Sequence, residues 1–124
     1  MKTIYTDHAP KPVGPYSQAI ELNGTIYCSG QIALDPKTGN MVGSTASEQA
    51  EQVLTNMEAV LKEAGSSMNK VVKTLIFLTD LKAFAEVNAI YERRFGSHKP
   101  ARSTVEVSAL PKGGLVEIEC IATK

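Results

Sequence analysis

Over residues 50–64 the apolar positions Ala50, Val53, Leu54, Met57, Val60, Leu61 and Ala64 recur three and four apart. That spacing lays a single apolar stripe along an α-helix, so the helix is expected to lie on a sheet. Thr45 and Glu48 stand before it at capping-box spacing, and Gly65 is placed to end it with a left-handed cap. A second helix is expected after Asp80, with Phe84, Val87, Tyr91 and Phe95 on its inner stripe and Gly96 at its end. Strand-like runs cover 17–22 and 25–30, and Asn23-Gly24 between them is the strongest short hairpin signal, because both turn positions want positive φ. Further strands are expected over 71–79, 102–107 and 115–123, the last two joined by a loop with Pro111 and Gly113-Gly114. Pro10, Pro12 and Pro15 predict an irregular entry segment.

The order β-β-α-β-α-β-β predicts an α+β domain of two layers, with two helices on one face of a mixed β-sheet. The run over 71–79 is apolar on both sides: Val72, Ile76 and Leu78 alternate with Val71, Leu75 and Phe77. Two helices cover only one face of a sheet. Another subunit is the simplest cover for the second, and loops are the alternative.

The length, 124 residues, is that of one domain, expected to span 1–124. Thirteen basic and thirteen acidic residues cancel, which argues against a protein that lives on nucleic acid or an anionic membrane. No apolar stretch approaches membrane-spanning length, and Met1 to His8 carries no apolar signal region, so a cytoplasmic protein is expected. Cys28 and Cys120 then read as free thiols and small core residues.

Most catalytic templates are missing. His8 and His98 have no Cys or His neighbour at ligand spacing, so no metal is expected. There is no glycine-rich phosphate loop after a strand and no Gly-x-Ser-x-Gly elbow. The last two strands are more informative. Val105 and Val107 alternate with Arg102, Thr104 and Glu106, and Val116, Ile118, Cys120 and Ala122 alternate with Glu117 and Glu119. If the small apolar sets pack under the helices, Arg102, Thr104 and Glu117 share the opposite face, the one that needs a partner. A guanidinium there requires an anion. Glu117 would supply it structurally and a bound carboxylate functionally, while plain surface exposure of Arg102 would call for neither.

The run His98-Lys99-Pro100-Ala101-Arg102-Ser103-Thr104-Val105-Glu106-Val107 resembles the C-terminal signature of the Rid (reactive intermediate deaminase) family, also called YjgF or L-PSP. Gly14-Pro15-Tyr16-Ser17-Gln18-Ala19 resembles its N-terminal motif, and Ser29-Gly30-Gln31-Ile32 the segment after its first hairpin. Val87-Asn88-Ala89-Ile90-Tyr91 resembles its second helix, and Val116-Glu117-Ile118-Glu119 its last strand. These five motifs occur in order over nearly the whole chain.

The resemblance implies a chorismate-mutase-like fold, a homotrimer with clefts between subunits, and no cofactor. It implies hydrolysis of 2-imino and enamine acids, such as 2-aminoacrylate and 2-iminobutanoate, to 2-keto acids and ammonia. Arg102 would hold the substrate carboxylate and Glu117 would lie near the attacking water. Tyr16, Ser29, Gly30 and Asn88 would line or support the cleft. The family commonly has cysteine where this chain has Thr104, which is read as cleft wall rather than nucleophile. A 2-keto-acid-binding regulatory trimer is the alternative. A ribonuclease, also ascribed to parts of the family, is disfavoured by the neutral charge and the lack of a His-based acid/base pair.

Overall fold

The computed structural model describes residues 1–124. Its elements in chain order are β1 (Lys2–Ile4), β2 (Ala19–Leu22), β3 (Thr25–Gln31), α1 (Ala46–Glu63), β4 (Val71–Leu78), α2 (Phe84–Phe95), β5 (Ala101–Glu106) and β6 (Val116–Thr123). The six strands form one sheet in the order β1-β2-β3-β6-β4-β5. Only the β4–β5 pair is parallel; the other neighbours are antiparallel. The expected two-layer α+β arrangement is found, with one strand more than the pattern predicts. That strand, β1, pairs with β2 through Lys2–Glu21, Thr3–Ile20 and Ile4–Ala19. Three residues at a sheet edge are too few for alternation to register.

Local chemistry fixes the ends of these elements. The Thr45 side chain accepts from the Glu48 amide, and the Glu48 carboxylate accepts from the Thr45 amide, completing the capping box. At the other end Gly65 has φ 79°, with its N–H on Lys62 O and the Ser66 N–H on Leu61 O, a Schellman closure. Asn23 and Gly24 have φ 51° and 80°, as a two-residue hairpin of matching twist requires. Asp80 caps a short 3-10 turn (Leu81–Ala83) rather than α2, which begins at Phe84.

The core lies between the helices and one face of the sheet. Leu54, Met57 and Leu61 from α1 and Val87 and Tyr91 from α2 meet Ile26, Ile76, Leu78, Val116 and Ile118 from the strands. Cys28 and Cys120 sit directly opposite each other across β3–β6, buried and unbonded, as small core residues. A hydrogen bond to Cys28 and burial push the Cys120 thiol far up, which makes Cys120 a poor nucleophile.

The reading of β4 needs one correction. The ladder with β6 slips between Val71 and Lys73, a bulge. Val71 therefore joins Thr74, Ile76 and Leu78 in the buried set, while Val72 is left half exposed. The other sheet face carries no helix. Ile20, Tyr27, Leu75, Phe77, Val105 and Ile121 lie there, all partly or largely exposed. No helix is long and apolar enough to cross a membrane.

Candidate active site

The residues singled out from sequence fall into two groups. Arg102 and Thr104 are on β5, paired in parallel register with Thr74 and Ile76 of β4. Directly paired residues point to the same side of a sheet, and Thr74 and Ile76 are buried under the helices. Arg102 and Thr104 therefore face the helix side. Glu117 pairs with Phe77, one position out of phase, and faces the open side. The expectation that Arg102, Thr104 and Glu117 share a face is thus wrong. The buried set of the sheet continues from β4 into the polar positions of β5, and Val105 lies beside Phe77 on the open face.

The first group is built against α2. The Arg102 guanidinium carbon sits 4.9 Å from the Tyr91 ring centroid and 5.5 Å from that of Phe84. The Tyr91 ring is held by a 2.7 Å hydrogen bond between its hydroxyl and that of Thr74, and by packing on Phe95. Burial raises the Tyr91 phenol above its ordinary value, so it stays a neutral platform. The chain's ion pairs join Glu51 to Arg93 and Arg94, Glu58 to Arg94, and Glu21 to Lys124; none involves Arg102. The guanidinium thus presents its donors beside an aromatic bed with no carboxylate to take them. Two residues along, Thr104 Oγ1 is the one buried side-chain oxygen or nitrogen without a hydrogen-bond partner. Asn88 and Arg102 line one cleft of about 300 Å³, together with His98 and Lys99.

The second group surrounds a separate cleft of about 320 Å³ that contains Tyr16, Ser29, Gly30 and Glu117. Ser29 is fixed by its hydroxyl, which donates to Ser17 O at 2.6 Å, and by its amide, which donates to Gln18 O. The β3–β6 ladder is irregular between Cys28 and Gln31, which brings Gly30 over the Glu117 side chain. Glu117 makes no hydrogen bond or ion pair. Burial, and after it the charge of Glu119, raise its carboxyl above the usual carboxylate range. A carboxylate placed this way is a better proton acceptor near neutrality than an exposed one.

Gly30 leaves the space that Glu117 occupies. A Cβ at this position would stand 2.8 Å from Glu117 Cδ. Because the obstacle is the end of a side chain, Gly30→Ala is expected to fold but to push the carboxylate aside. We expect kcat/KM to fall on the order of 10²-fold, the cost of a small misplacement, with thermal unfolding nearly unchanged. Steady-state kinetics beside a melting curve checks this.

Sequence reasoning missed several contributors. Phe84, expected on the inner stripe of α2, is 40% exposed and lies under Arg102 instead. Its spacing of seven from Tyr91 was the available signal. Lys11, Ile32 and Pro111 are among the further residues that line the second cleft, in segments that carry no periodicity.

Comparison with known proteins agrees with the architecture. The model of the endoribonuclease L-PSP family matches residues 6–124. The chain is 47% identical over 123 residues to the 2-iminobutanoate/2-iminopropanoate deaminase of Mus musculus, covering 99% of this chain and 91% of that protein. The structure of RidA from the Antarctic bacterium Psychrobacter sp. PAMC 21119 superposes with TM-score 0.97 at 46% identity, over 100% of both chains. That of E. coli TdcF with bound serine superposes with TM-score 0.95 at 38% identity, over 100% of this chain and 99% of the other. With Arg102 and Asn88 beside one cleft and Tyr16, Ser29, Gly30 and Glu117 around another, on a scaffold matched from end to end, the chain belongs to the Rid family, which the endoribonuclease L-PSP model describes.

Proposed function

We propose that residues 1–124 form one domain that hydrolyses small 2-imino acids, and the enamines that tautomerise to them, to 2-keto acids and ammonia without a cofactor. The observation that carries this reading is the Arg102 guanidinium, stacked on Phe84 and Tyr91 and free of any ion pair. A planar fork of donors with no internal partner fits a carboxylate bidentately. Thr104, two residues away on the same side of the sheet, belongs in this reading to the wall behind Arg102, and its buried hydroxyl has no partner within one copy. Asn88 supports that side. Tyr16, Ser29 and Gly30 enclose the other side, where Glu117 takes a proton from water as its oxygen attacks C2 of the imine. Glu117 passes that proton to the nitrogen, the new hydroxyl at C2 gives up its own proton as the C–N bond breaks, and ammonia leaves with the keto acid behind. An imine is already electrophilic, so positioning and one modest base suffice.

Within one copy Arg102 and Glu117 face opposite sides of the sheet, and one small acid does not reach both. In our reading they meet across subunits of a homotrimer whose contact is the open apolar face. Ile20, Tyr27, Phe77, Val105 and Ile121 would be covered there. Sedimentation is expected to give a stable trimer; a monomer at micromolar concentration would contradict the assembly. The compartment in this reading is the cytoplasm, where thiols such as Cys28 and Cys120 stay reduced.

The activity is tested by generating 2-aminoacrylate in situ with a serine dehydratase and following keto-acid release. Acceleration by the wild type is expected. Keto-acid binding without acceleration would favour the regulatory reading, for which the serine held by E. coli TdcF is the supporting observation.

A further inference from the structure

The wall of the Glu117 cleft is a loop, and one buried side chain closes it. Gln18 is 1% exposed. Its Oε1 accepts the Thr6 amide at 2.8 Å. Its Nε2 donates to Pro10 O at 2.9 Å and Thr6 O at 3.1 Å, with Ala9 O at 3.4 Å. An amide nitrogen has two hydrogens, so the two short bonds satisfy it. The backbone carbonyl of the same residue accepts the Ser29 amide at 2.9 Å. Residues 11–17 thus leave the body of the fold at Pro10 and return to it at Gln18, with both points tied to one residue. The loop carries Lys11, Val13 and Tyr16 into the cleft that Glu117 also lines, and the nearly buried Gln18 borders it. Inside the loop the Tyr16 hydroxyl accepts the Val13 amide at 3.1 Å, and the Tyr16 amide donates to Gly14 O at 2.9 Å. Val13 and Tyr16 are themselves 56% and 48% exposed, so packing alone does not hold them.

We propose that Gln18 is the positioning residue of this site: it clamps the loop 11–17 so that Tyr16 stays in the cleft that Glu117 lines, and so sets the affinity for substrate through Tyr16. The proposal deepens the reading of this cleft as one half of the deaminase site and rests on it. A buried amide is chosen over an apolar residue here because the segment 6–10 has no strand partner for the carbonyls of Thr6 and Pro10. Left unmet, those groups would draw the segment out to water.

Two variants test it. Gln18→Met keeps the volume and removes every side-chain hydrogen bond. Gln18→Glu keeps the oxygen that accepts from Thr6 and removes the donors, and it decides the matter should the methionine variant not fold. For each, steady-state kinetics is run beside amide exchange at Val13 and Tyr16. We expect a loss on the order of 10²-fold in kcat/KM, expressed mainly as a rise in KM. Exchange at Val13 and Tyr16 should rise about tenfold while amides of α1 stay protected. A merely structural role would leave KM at the wild-type value and lower kcat with the folded fraction. Wild-type KM together with wild-type exchange in a folded variant would overturn the clamp. If the wild type itself released no keto acid, the deaminase reading would fail by that result alone. The clamp would then be judged on exchange and on the Kd for 2-oxobutanoate, and unchanged values of both would sink it.

Discussion

Arg102→Ala is expected to lower kcat/KM for a 2-imino acid by about 10²- to 10³-fold while the protein still folds and assembles. Two hydrogen bonds from a charged fork to a carboxylate contribute about 3–4 kcal/mol to holding the substrate, which converts to that factor. The fold loses much less. Arg102 has no ion pair to break, and its contacts with Phe84 and Tyr91 contribute on the order of 0.5–1 kcal/mol each at a partly exposed position. Arg102→Lys keeps the charge but not the fork, and should fall between the two. Keto-acid release beside a melting curve checks both variants. A loss of activity that tracked a loss of folded protein would point to a structural role for Arg102 instead.

Glu117→Gln is expected to cost about 10²- to 10⁴-fold in kcat, the usual contribution of a general base, and to leave the fold at least as stable at neutral pH. The sign follows from the direction of its shift. Burial raises the Glu117 carboxyl in the folded protein, with the charge of Glu119 adding to it. Between the ordinary carboxylate value and this raised one, the folded state binds more protons than the unfolded state. Stability contributed by this group therefore falls as pH rises through that window. Glutamine carries no charge to desolvate, so the variant should lose that part of the pH dependence. For the wild type, kcat/KM should fall on acidification with a single-proton limb above the range of an exposed glutamate. Wild-type rates in Glu117→Gln would remove the carboxylate from the chemistry.

Much of the fold is legible in the sequence because local chemistry decides it. Thr45 with Glu48, Gly65, and Asn23-Gly24 each act within a few residues, and α1 and the β2–β3 hairpin follow from them. What the sequence hides depends on partners distant in the chain. β1 is three residues long and exists through pairing with β2. The bulge between Val71 and Lys73 shifts the phase of β4. β5 is the most instructive case. Over 102–107 Val105 and Val107 alternate with polar residues in the manner of a core-facing and a solvent-facing set. The parallel register with β4, which no local signal encodes, places Arg102 and Thr104 on the helix side instead. There the aromatic rings of α2 receive the guanidinium. The members of the candidate site were therefore readable from their motifs, but not their division between two faces of one sheet.

That division is the centre of the account and has a direct test. Arg102→Ala and Glu117→Gln subunits, each inactive alone, are dissociated, mixed in equal amounts and reassembled, and keto-acid release is measured. If each site takes Arg102 from one copy and Glu117 from another, random pairing leaves about a quarter of the sites intact, and activity should return to about that share of the wild type. If both residues act from the same copy, every site in the mixture lacks one of them, and the reassembled protein would stay as inactive as its components.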